Sequence, residues 1–457
     1  MEEKKFQIRF LGGAGTVTGS KNLLTYNDKN ILVDCGLFQG LKELRLLNWE
    51  KLPVDPATVD LVILTHAHLD HVGYLPRLVQ EGFKGKIFCS APTRAIAEVI
   101  LLDSARIQEE DADIANRMGY SKHKPAKPLY TVKDAQRAIH QFQTVNCDEW
   151  VQVDEDVRFR LNLIAHIMGA TFAEIEAGET RLVFSGDIGR TDDPMLEAPN
   201  RPAHADYIIM ESTYGDRHHR DENTTRHFRD IVNKTYQRGG TLIIPSFTVD
   251  RAQDFIWMLW QLKKKNEIPD LPVYLDSPMG VNVSKIYAEF DDYHNLGLDV
   301  FDEAWEQVKT VRSVKNTYQI SKDKTPKIVI AGSGMMNGGR VLLYLQDHLP
   351  NPNSTVLIAG YQAEGTRGRL LQSGIRELKI HGHFYQVNCH LEEMHNMSSH
   401  ADQDGLIDWL AGIRNKPKSV FIVHGEAQAA NALRVKIRHI YHWDVAIPKL
   451  NETFPLY

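Results

Sequence analysis

The chain has 457 residues, of which 42% are hydrophobic and 25% are charged, and its formal net charge is −6. These proportions are typical of a soluble globular protein with at least two domains, and no apolar stretch is long enough for a membrane span. Four widely spaced cysteines form no Cys-x-x-Cys pair, and the charged N-terminus lacks a signal-peptide core. We therefore expect a cytoplasmic protein without disulfides and without a membrane partner.

Short strands separated by turns dominate the first ninety residues. The predicted strands are 6–11, 22–26, 30–33, 61–64 and 86–89. Asn27-Asp28-Lys29-Asn30 is typical of a hairpin turn between two of them. Helical patterns then follow at 93–111 and 131–143. This alternation predicts an α/β fold in which helices cover sheets.

The pattern changes near residue 210 and becomes a repeat of strand, helix and strand. The predicted strands here are 242–245, 273–275, 327–331 and 355–359. A helix is expected at 250–265, where Asp250 is the predicted N-cap and Phe255, Leu259 and Leu262 form an apolar stripe. Such βαβ repeats predict a parallel sheet. After residue 390 the chain again has histidines that could belong to the same site as those of the first part, namely His400 and His424. We therefore expect a second domain inserted at 213–392 between the first-domain segments 1–212 and 393–457.

The sequence His66-Ala67-His68-Leu69-Asp70-His71 directly follows a predicted buried strand. His66 and His68 can face the same way because side chains two apart on an extended chain share a face. Asp70 and His71 come at the predicted start of a helix and can face a second point. Imidazole and carboxylate ligands without thiolate are typical of hydrolytic zinc sites. The cluster therefore predicts ligands for two metal ions.

A two-metal site needs further ligands, and the chain offers them where predicted strands end. The candidates are His166, Asp187, whose carboxylate could bridge two cations, and His424. Asp34 also ends a strand, and we expect it to orient a ligand rather than bind metal. Any one of these residues could instead be an ordinary loop side chain, and their combination with the cluster favours ligation.

Two glycine-rich loops are candidates for phosphate binding. The loop 12–19 follows a strand but lacks glycine at position 18, and no helix pattern follows, so we reject a dinucleotide site. The loop 332–340 could hold a phosphate on backbone N–H groups, with Ser333 and Gly334 as candidates. A tight turn without a ligand explains this second loop equally well.

Several motifs accompany the predicted ligands. They are Glu211-Ser212-Thr213-Tyr214-Gly215, Pro245-Ser246-Phe247 with Arg251 and Gln253, Gly360-Tyr361-Gln362-Ala363-Glu364-Gly365-Thr366, Ser398-Ser399-His400-Ala401-Asp402 and Val423-His424-Gly425-Glu426. With the ordered set from Asp34 to His424, the whole chain resembles the metallo-β-lactamase superfamily. Within it, the chain is similar to compact prokaryotic RNA-processing members of the β-CASP branch. This resemblance implies an αββα sandwich with an inserted β-CASP domain, built on a parallel sheet flanked by helices.

The resemblance also implies roles for individual residues. His66, His68 and His166 would hold one Zn²⁺, and Asp70, His71 and His424 the other, with Asp187 between them; Mn²⁺ is the alternative metal. Asp70, His400 and Glu211 would be the catalytic residues, with His400 oriented by Glu211 and protonating the leaving oxygen. Apart from the resemblance, Arg340, Arg367 and Arg369 are candidates for phosphate contacts together with Ser333 and Gly334. An ordinary surface charge explains the three arginines almost equally well.

These roles imply a zinc-dependent ribonuclease whose metal-activated hydroxide leaves 5′-phosphate and 3′-hydroxyl ends. Histidine at position 424 is typical of RNA-processing members, which favours RNA over DNA as the partner. The alternatives are a DNA-directed nuclease, a small-molecule hydrolase acting on thioesters or lactams, and a scaffold without activity. Endonuclease and 5′-exonuclease both stay open, as do the RNA target, the physiological metal and the oligomeric state, with a homodimer compatible with the sequence.

Overall fold

The computed structural model describes residues 6–119, 121, 123–219, 223–247 and 249–457. Its chain divides into two compact units. Unit 1 consists of Met1–Asp193, Glu197–His218 and His400–Tyr457, and unit 2 consists of Pro194–Leu196 and His219–Ser399. In the described part of the chain, no helix is both long and apolar enough to cross a membrane. The N-terminal residues 1–5, on which part of the compartment prediction depends, lie outside the described residues.

The strands in the described residues are numbered in chain order. They are β1 (Phe6–Gly12), β2 (Lys21–Tyr26), β3 (Lys29–Val33), β4 (Leu61–Ile63), β5 (Lys86–Cys89), β6 (Phe142–Thr144), β7 (Val151–Gln152), β8 (Val157–Leu163), β9 (Thr171–Ala177), β10 (Thr180–Phe184), β11 (Tyr207–Met210), β12 (Thr241–Ser246), β13 (Val273–Asp276), β14 (Val308–Thr310), β15 (Lys327–Gly332), β16 (Thr355–Ala359), β17 (Glu377–Ile380), β18 (His383–Gln386), β19 (His390–Met394), β20 (Ser419–Ile422), β21 (Val445–Ala446) and β22 (Thr453–Pro455).

The α-helices are numbered in the same way. They are α1 (Lys42–Leu47), α2 (Leu69–Val72), α3 (Leu75–Gln80), α4 (Ala91–Met118), α5 (Val132–Ile139), α6 (Thr224–Gln237), α7 (Arg251–Lys264), α8 (Pro278–Glu289), α9 (Leu298–Glu306), α10 (Val314–Lys322), α11 (Val341–His348), α12 (Arg367–Gln372), α13 (Gln403–Leu410) and α14 (Ala427–Tyr441).

Unit 1 is built on two seven-stranded sheets that share a hydrophobic core. Their strand orders are β22-β1-β2-β3-β4-β5-β6 and β21-β20-β11-β10-β9-β8-β7. Phe10 and Phe88 of the first sheet lie in the same buried cluster as Phe159 and Phe421 of the second. Alternate residues of a strand face opposite sides, so one face of each sheet supplies this shared core.

The outer faces of these sheets are buried as well. In the first sheet, Leu32, Val62 and Ile87 point away from the shared core and are at most 1% exposed. On the second sheet, Trp409 of α13 makes an edge contact with Phe172 of β9, with ring centroids 5.6 Å apart. Strands buried on both faces are typical of sheets covered by helices. The predicted αββα sandwich is confirmed.

Unit 2 contains a parallel six-stranded sheet in the order β14-β13-β15-β12-β16-β19. Leu242 and Ile244 of β12 face one core with Phe255 of α7, whereas Ile243 between them faces a second core with Leu345 of α11. Helices therefore cover both faces of the sheet. The predicted parallel sheet flanked by helices is confirmed. The chain passes from unit 1 to unit 2 at His219 and returns to unit 1 at His400. The domain boundaries near 213 and 392 stay a prediction.

One local prediction was wrong, and another was right only in position. The helix expected at 131–143 ends at Ile139, because Phe142 pairs with Ile87 of β5 and starts β6. Asp250 precedes α7 as expected, but its side chain makes no capping hydrogen bond and its φ is +70°. Its Oδ1 instead accepts a hydrogen bond from the hydroxyl of Tyr287, which is buried in the same unit. In both places a tertiary contact decides the local structure.

Candidate metal centre

The predicted metal ligands all belong to unit 1 and follow the ends of strands in both of its sheets. His66 follows β4 of the first sheet, whereas His166, Asp187 and His424 follow β8, β10 and β20 of the second. His71 lies in the short helix α2. Because the strands end at the same side of the sandwich, side chains that are up to 358 positions apart in the chain (His66 and His424) meet at one place.

Three imidazole nitrogens form the first ligand group. Nδ1 of His68 lies 3.1 Å from Nε2 of His66 and 3.0 Å from Nε2 of His166. Zinc–nitrogen bonds of about 2.0–2.1 Å in a tetrahedral arrangement give nitrogens about 3.3 Å apart. The spacing of these three atoms is therefore close to the edge length of a tetrahedral zinc site.

The second ligand group contains one carboxylate and two imidazoles. Nε2 of His424 lies 3.3 Å from Oδ2 of Asp70 and 3.4 Å from Nε2 of His71. This group, like the first, has all of its possible ligand atoms close enough to surround one ion. The chain thus offers two adjacent ligand groups.

Asp187 lies between the two groups and faces each with a different oxygen. Its Oδ2 is 3.5 Å from Nε2 of His66 and 3.5 Å from Nε2 of His166. Its Oδ1 is 3.3 Å from Nε2 of His71 and 3.4 Å from Nδ1 of His424. Each oxygen of one carboxylate therefore approaches a different group, which is the geometry of a bridging ligand.

The charge states of the three-histidine group and of Asp187 suit a cation. Burial lowers the pKa of His66 and His166 well below the usual range, and lowers that of His68 to about 4, so all three rings are neutral at physiological pH. Burial raises the pKa of Asp187, but the histidines around it, His424 and His71 first, outweigh burial and hold that pKa well below its usual range. Neutral imidazoles beside carboxylates, with no thiolate among them, are ligands that zinc and similar divalent ions accept. The residues therefore fit a divalent metal.

Hydrogen bonds from outside the two groups orient several of the rings. Oδ2 of Asp34 is 2.8 Å from Nδ1 of His71 and 2.8 Å from the hydroxyl of Thr65. The hydroxyl of Thr65 is also 3.1 Å from Nδ1 of His66, and that of Thr213 is 3.2 Å from Nδ1 of His424. We did not predict either threonine, although a hydroxyl residue directly before His66 and one two positions after Glu211 could have been noticed.

His400 and Glu211 form a buried pair beside the ligand groups. Nδ1 of His400 is 2.9 Å from Oε1 of Glu211, and its other ring nitrogen, Nε2, is 3.9 Å from Oδ2 of Asp187. Oε1 of Glu211 also accepts a hydrogen bond from the backbone N–H of Ile188, and Oε2 accepts one from that of Thr213. Burial lowers the pKa of His400, but Glu211 and Asp187 outweigh burial and raise it to about 9. The pair therefore presents a protonated Nε2 toward the ligand groups.

Comparisons with known proteins agree with this geometry. Family profiles match at residues 22–236 (Metallo-beta-lactamase superfamily), 252–371 (Beta-Casp domain) and 385–448 (Zn-dependent metallo-hydrolase RNA specificity domain). Ribonuclease TTHA0252 of Thermus thermophilus is 33% identical over 454 residues, which cover 97% of this chain and 99% of that protein. The chain belongs to the metallo-β-lactamase superfamily.

The match to the Beta-Casp domain at residues 252–371 places the chain in the β-CASP branch of that superfamily. The transcription termination factor FttA of Methanosarcina mazei is 30% identical over 444 residues, covering 93% of this chain and 67% of that protein. A crystal structure of a protein of unknown function from Enterococcus faecalis superposes with a TM-score of 0.54 at 14% identity. That alignment covers 99% of this chain and all of the other chain, and at this identity it concerns the fold alone.

The five predicted phosphate-binding residues lie in unit 2, within the β-CASP match. Arg340 donates to the fully buried carboxylate of Asp276 at 2.5 Å and to the carbonyl of Val311 at 2.9 Å. Arg367 donates to the carbonyls of Lys379 and Asn337 at 2.9 and 3.0 Å. Both guanidinium groups are therefore engaged inside this β-CASP unit.

The remaining three residues have contacts of their own. The hydroxyl of Ser333, a residue with φ of +89°, accepts a hydrogen bond from the backbone N–H of Asn337 at 3.2 Å. A Cβ atom on Gly334 would lie 2.5 Å from the ring of Phe247, so glycine is required by packing at this position. Arg369 lies 3.5 Å from the carbonyl of Gln362. Phosphate binding by these residues stays a prediction.

Proposed function

We propose that this β-CASP protein is a zinc-dependent ribonuclease acting in RNA processing or decay, and that it leaves 5′-phosphate and 3′-hydroxyl ends. The observation that carries the proposal is the pair of ligand groups that meet at Asp187, with the His400–Glu211 pair beside them. RNA as substrate is supported by the relative named a ribonuclease and by the RNA specificity profile at 385–448, which contains both His400 and His424.

In this proposal the two groups hold two Zn²⁺ ions, with Mn²⁺ as the alternative. His66, His68 and His166 would bind one ion, and Asp70, His71 and His424 the other. Asp187 would contact both, since each of its oxygens faces a different group. When bound, such ions activate water for attack and neutralise negative charge on a phosphodiester.

In this proposal, His400 and Glu211 protonate the leaving group. The leaving 3′ oxygen needs a proton because an alkoxide is a poor leaving group. Nε2 of His400 can donate that proton, since Nδ1 is engaged by Glu211 and Nε2 faces the ligand groups. Glu211 is fully buried and held by two backbone N–H groups, so it orients the imidazole firmly.

Contacts with the RNA backbone are a further part of the proposal. We keep Ser333, Gly334, Arg340, Arg367 and Arg369 as candidates. Arg340 and Arg367 have internal partners that a phosphate would have to share or replace.

We also propose a cytoplasmic location, with a homodimer as a compatible assembly. Cys35, Cys89 and Cys389 are buried thiols. Burial raises the pKa of Cys35 to about 12 and that of Cys389 to about 11, so both are protonated and unreactive, as is typical of proteins from a reducing compartment.

Labelled substrates test the proposed function. The purified protein is incubated with RNA and DNA of the same sequence, labelled at the 5′ or the 3′ end, after its zinc content has been measured. We expect cleavage of RNA, and we expect Asp70→Ala to abolish it and to lower the zinc content. Asp28→Ala, which removes an exposed carboxylate of unit 1, is the matched control and should behave as the parent.

The other outcomes separate the alternatives. Cleavage of RNA by Asp70→Ala at the parent rate would contradict the assigned site. Preference for DNA, or hydrolysis of a generic thioester or lactam without RNA cleavage, would replace the proposed substrate. A parent protein that retains no zinc and cleaves nothing would favour a scaffold. The positions of the labelled products also distinguish an endonuclease from a 5′-exonuclease.

A further inference from the structure

Two threonines lie beside the ligand groups without being ligands. Thr65 is fully buried and Thr213 is 2% exposed, and each approaches a histidine ring nitrogen that is not the assigned ligand atom. A histidine binds metal through a nitrogen lone pair, so its other nitrogen must carry the proton. The partners of that other nitrogen therefore decide whether a ring is ready to bind.

At Thr65, the positions of the hydrogen atoms follow from which partner can donate a hydrogen bond and which can only accept one. The carboxylate of Asp34 can only accept, so the Thr65 hydroxyl, 2.8 Å away, donates to it. The hydroxyl oxygen is then left to accept from Nδ1–H of His66 at 3.1 Å. Nε2 of His66 consequently carries a lone pair, and Nε2 is the nitrogen that faces His68. Asp34 also accepts from Nδ1 of His71, so one carboxylate supports a ring in each ligand group.

At Thr213 the same result follows from different partners. Nδ1 of His424 lies 3.2 Å from the Thr213 hydroxyl, which also donates to the backbone carbonyl of His424, 3.3 Å away. A hydroxyl has one proton, so its oxygen is left to accept from Nδ1–H of His424. Nε2 of His424 is left with a lone pair facing Asp70 and His71.

His166 provides a contrast inside the same centre. Its Nδ1 is buried and has no hydrogen-bond partner among the described residues. Its tautomer and ring orientation are therefore not set by a side chain in the way that those of His66 and His424 are. The threonine contacts are thus particular to two ligands and do not accompany every histidine of the centre.

We propose that the hydroxyls of Thr65 and Thr213 are positioning groups that fix the ring orientation and tautomer of His66 and His424, one in each ligand group. This inference rests on the proposed metal centre and adds residues that do not touch the ion. Loss of such a supporting hydrogen bond typically weakens metal binding or activity 10- to 100-fold. Each threonine should therefore affect the affinity of one ion more than that of the other.

The test measures metal binding by the full chain without using RNA cleavage. Metal is removed with a chelator, and Zn²⁺ affinity at both sites is measured by competition with a chromophoric chelator. Thr65→Val and Thr213→Val keep the side-chain shape and remove the hydroxyl, and we expect each to bind one of two ions 10- to 100-fold more weakly. Thr65→Ser and Thr213→Ser restore the hydroxyl and should restore the affinity. The visible spectrum of the Co²⁺-loaded protein provides an independent signature of ligand geometry.

Thr25→Val is the matched control, because Thr25 is also buried in unit 1 but its hydroxyl donates to Asn30. We expect parent affinity for both ions in this variant. If a valine variant does not fold, the corresponding Thr→Ala variant replaces it. Valine variants that bind both ions like the parent, or serine variants that do not recover, overturn the inference while the metal centre stands. A parent chain that binds no ion overturns the proposed function as well.

Discussion

Polar side chains follow the strand ends in both units, but they are arranged in opposite ways. In unit 1, the nitrogens of His66, His68 and His166 face one another at 3.0–3.1 Å, and all three rings are neutral. Each neutral ring keeps one nitrogen lone pair, and lone pairs that converge at this distance can bind a cation between them. The strand ends of unit 1 therefore leave a demand for positive charge.

In unit 2, the polar groups at a strand end form hydrogen bonds and an ion pair with one another. Asp276 ends β13 and is fully buried, and its Oδ1 accepts from Arg340 at 2.5 Å. Its Oδ2 accepts from the hydroxyls of Thr317 and Tyr344, both at 2.7 Å. Because the charge of Asp276 is already compensated, this strand end has the features of a structural element. The comparison indicates that partners, more than residue types, separate a binding site from a buried network.

The largest effect is expected at the carboxylate between the ligand groups. Asp187→Ala removes a carboxylate that approaches both groups, so we expect loss of bound metal from both and no measurable RNA cleavage. Zinc content by mass spectrometry and far-ultraviolet circular dichroism give the measurement, with the fold retained. A variant that kept two zinc ions per chain would contradict the bridging position, and Asp28→Ala serves again as the exposed control.

The next largest effect is expected at His400 of unit 1, where a substitution distinguishes proton donation from metal binding. His400→Gln removes the ring beside Asp187 without removing a ligand, so zinc content should stay at the parent level. Single-turnover cleavage should fall about 10²- to 10⁴-fold, the usual contribution of a positioned acid. His204→Gln, which changes a histidine of unit 1 with 48% side-chain exposure, should have no effect. Loss of zinc in His400→Gln would make His400 a ligand instead.

In unit 2, breaking the buried pair should reduce stability. Arg340→Met leaves the carboxylate of Asp276 without its cationic partner, and we expect the free energy of unfolding to fall by about 3 kcal/mol. Urea unfolding of the metal-loaded protein measures the change. Arg312→Met alters an exposed arginine of the same unit and should stay within about 0.5 kcal/mol of the parent. Unchanged stability in Arg340→Met, with a raised KM for RNA, would support the phosphate-binding prediction instead.

The smallest effect compares two glycines of one loop. Gly334→Ala would bring Cβ to 2.8 Å from the backbone nitrogen of Phe247, so we expect a loss of about 1–3 kcal/mol. Gly338→Ala should be neutral, because nothing lies within 4 Å of its Cβ position. Thermal unfolding of both variants gives the measurement. Equal stabilities, together with weaker RNA binding by Gly334→Ala alone, would indicate that Gly334 is required for substrate rather than for packing.

Much of this architecture could be predicted because its signals are local or family-wide. The alternation of strand and helix patterns predicts sheets covered by helices in both units. The six residues from His66 to His71 follow a strand that the sequence pattern predicts. His424 is different, because nothing near position 424 indicates that it meets Asp70. Its position after a predicted strand made it a candidate ligand, and its assignment to the second group depended on the family resemblance.

What could not be predicted depends on pairs of residues far apart in the chain. The Asp276–Arg340 contact spans 64 positions, and no periodic pattern records it, so Arg340 was expected at a phosphate. Thr65 and Thr213 were missed for the same reason, since a hydroxyl acquires its role from a ring that folding brings close. Phe142 was assigned to a helix because its pairing with Ile87 is likewise non-local.

The discontinuous build of unit 1 has a consequence during protein synthesis. The first ligand cluster emerges from the ribosome early, whereas His400 and His424 belong to the later segment His400–Tyr457. Domains form from the N-terminus as the chain emerges, so a partly made chain can have the three-histidine group but neither the acid nor the second group. Under the proposed function, RNA cleavage therefore requires synthesis to have passed His424.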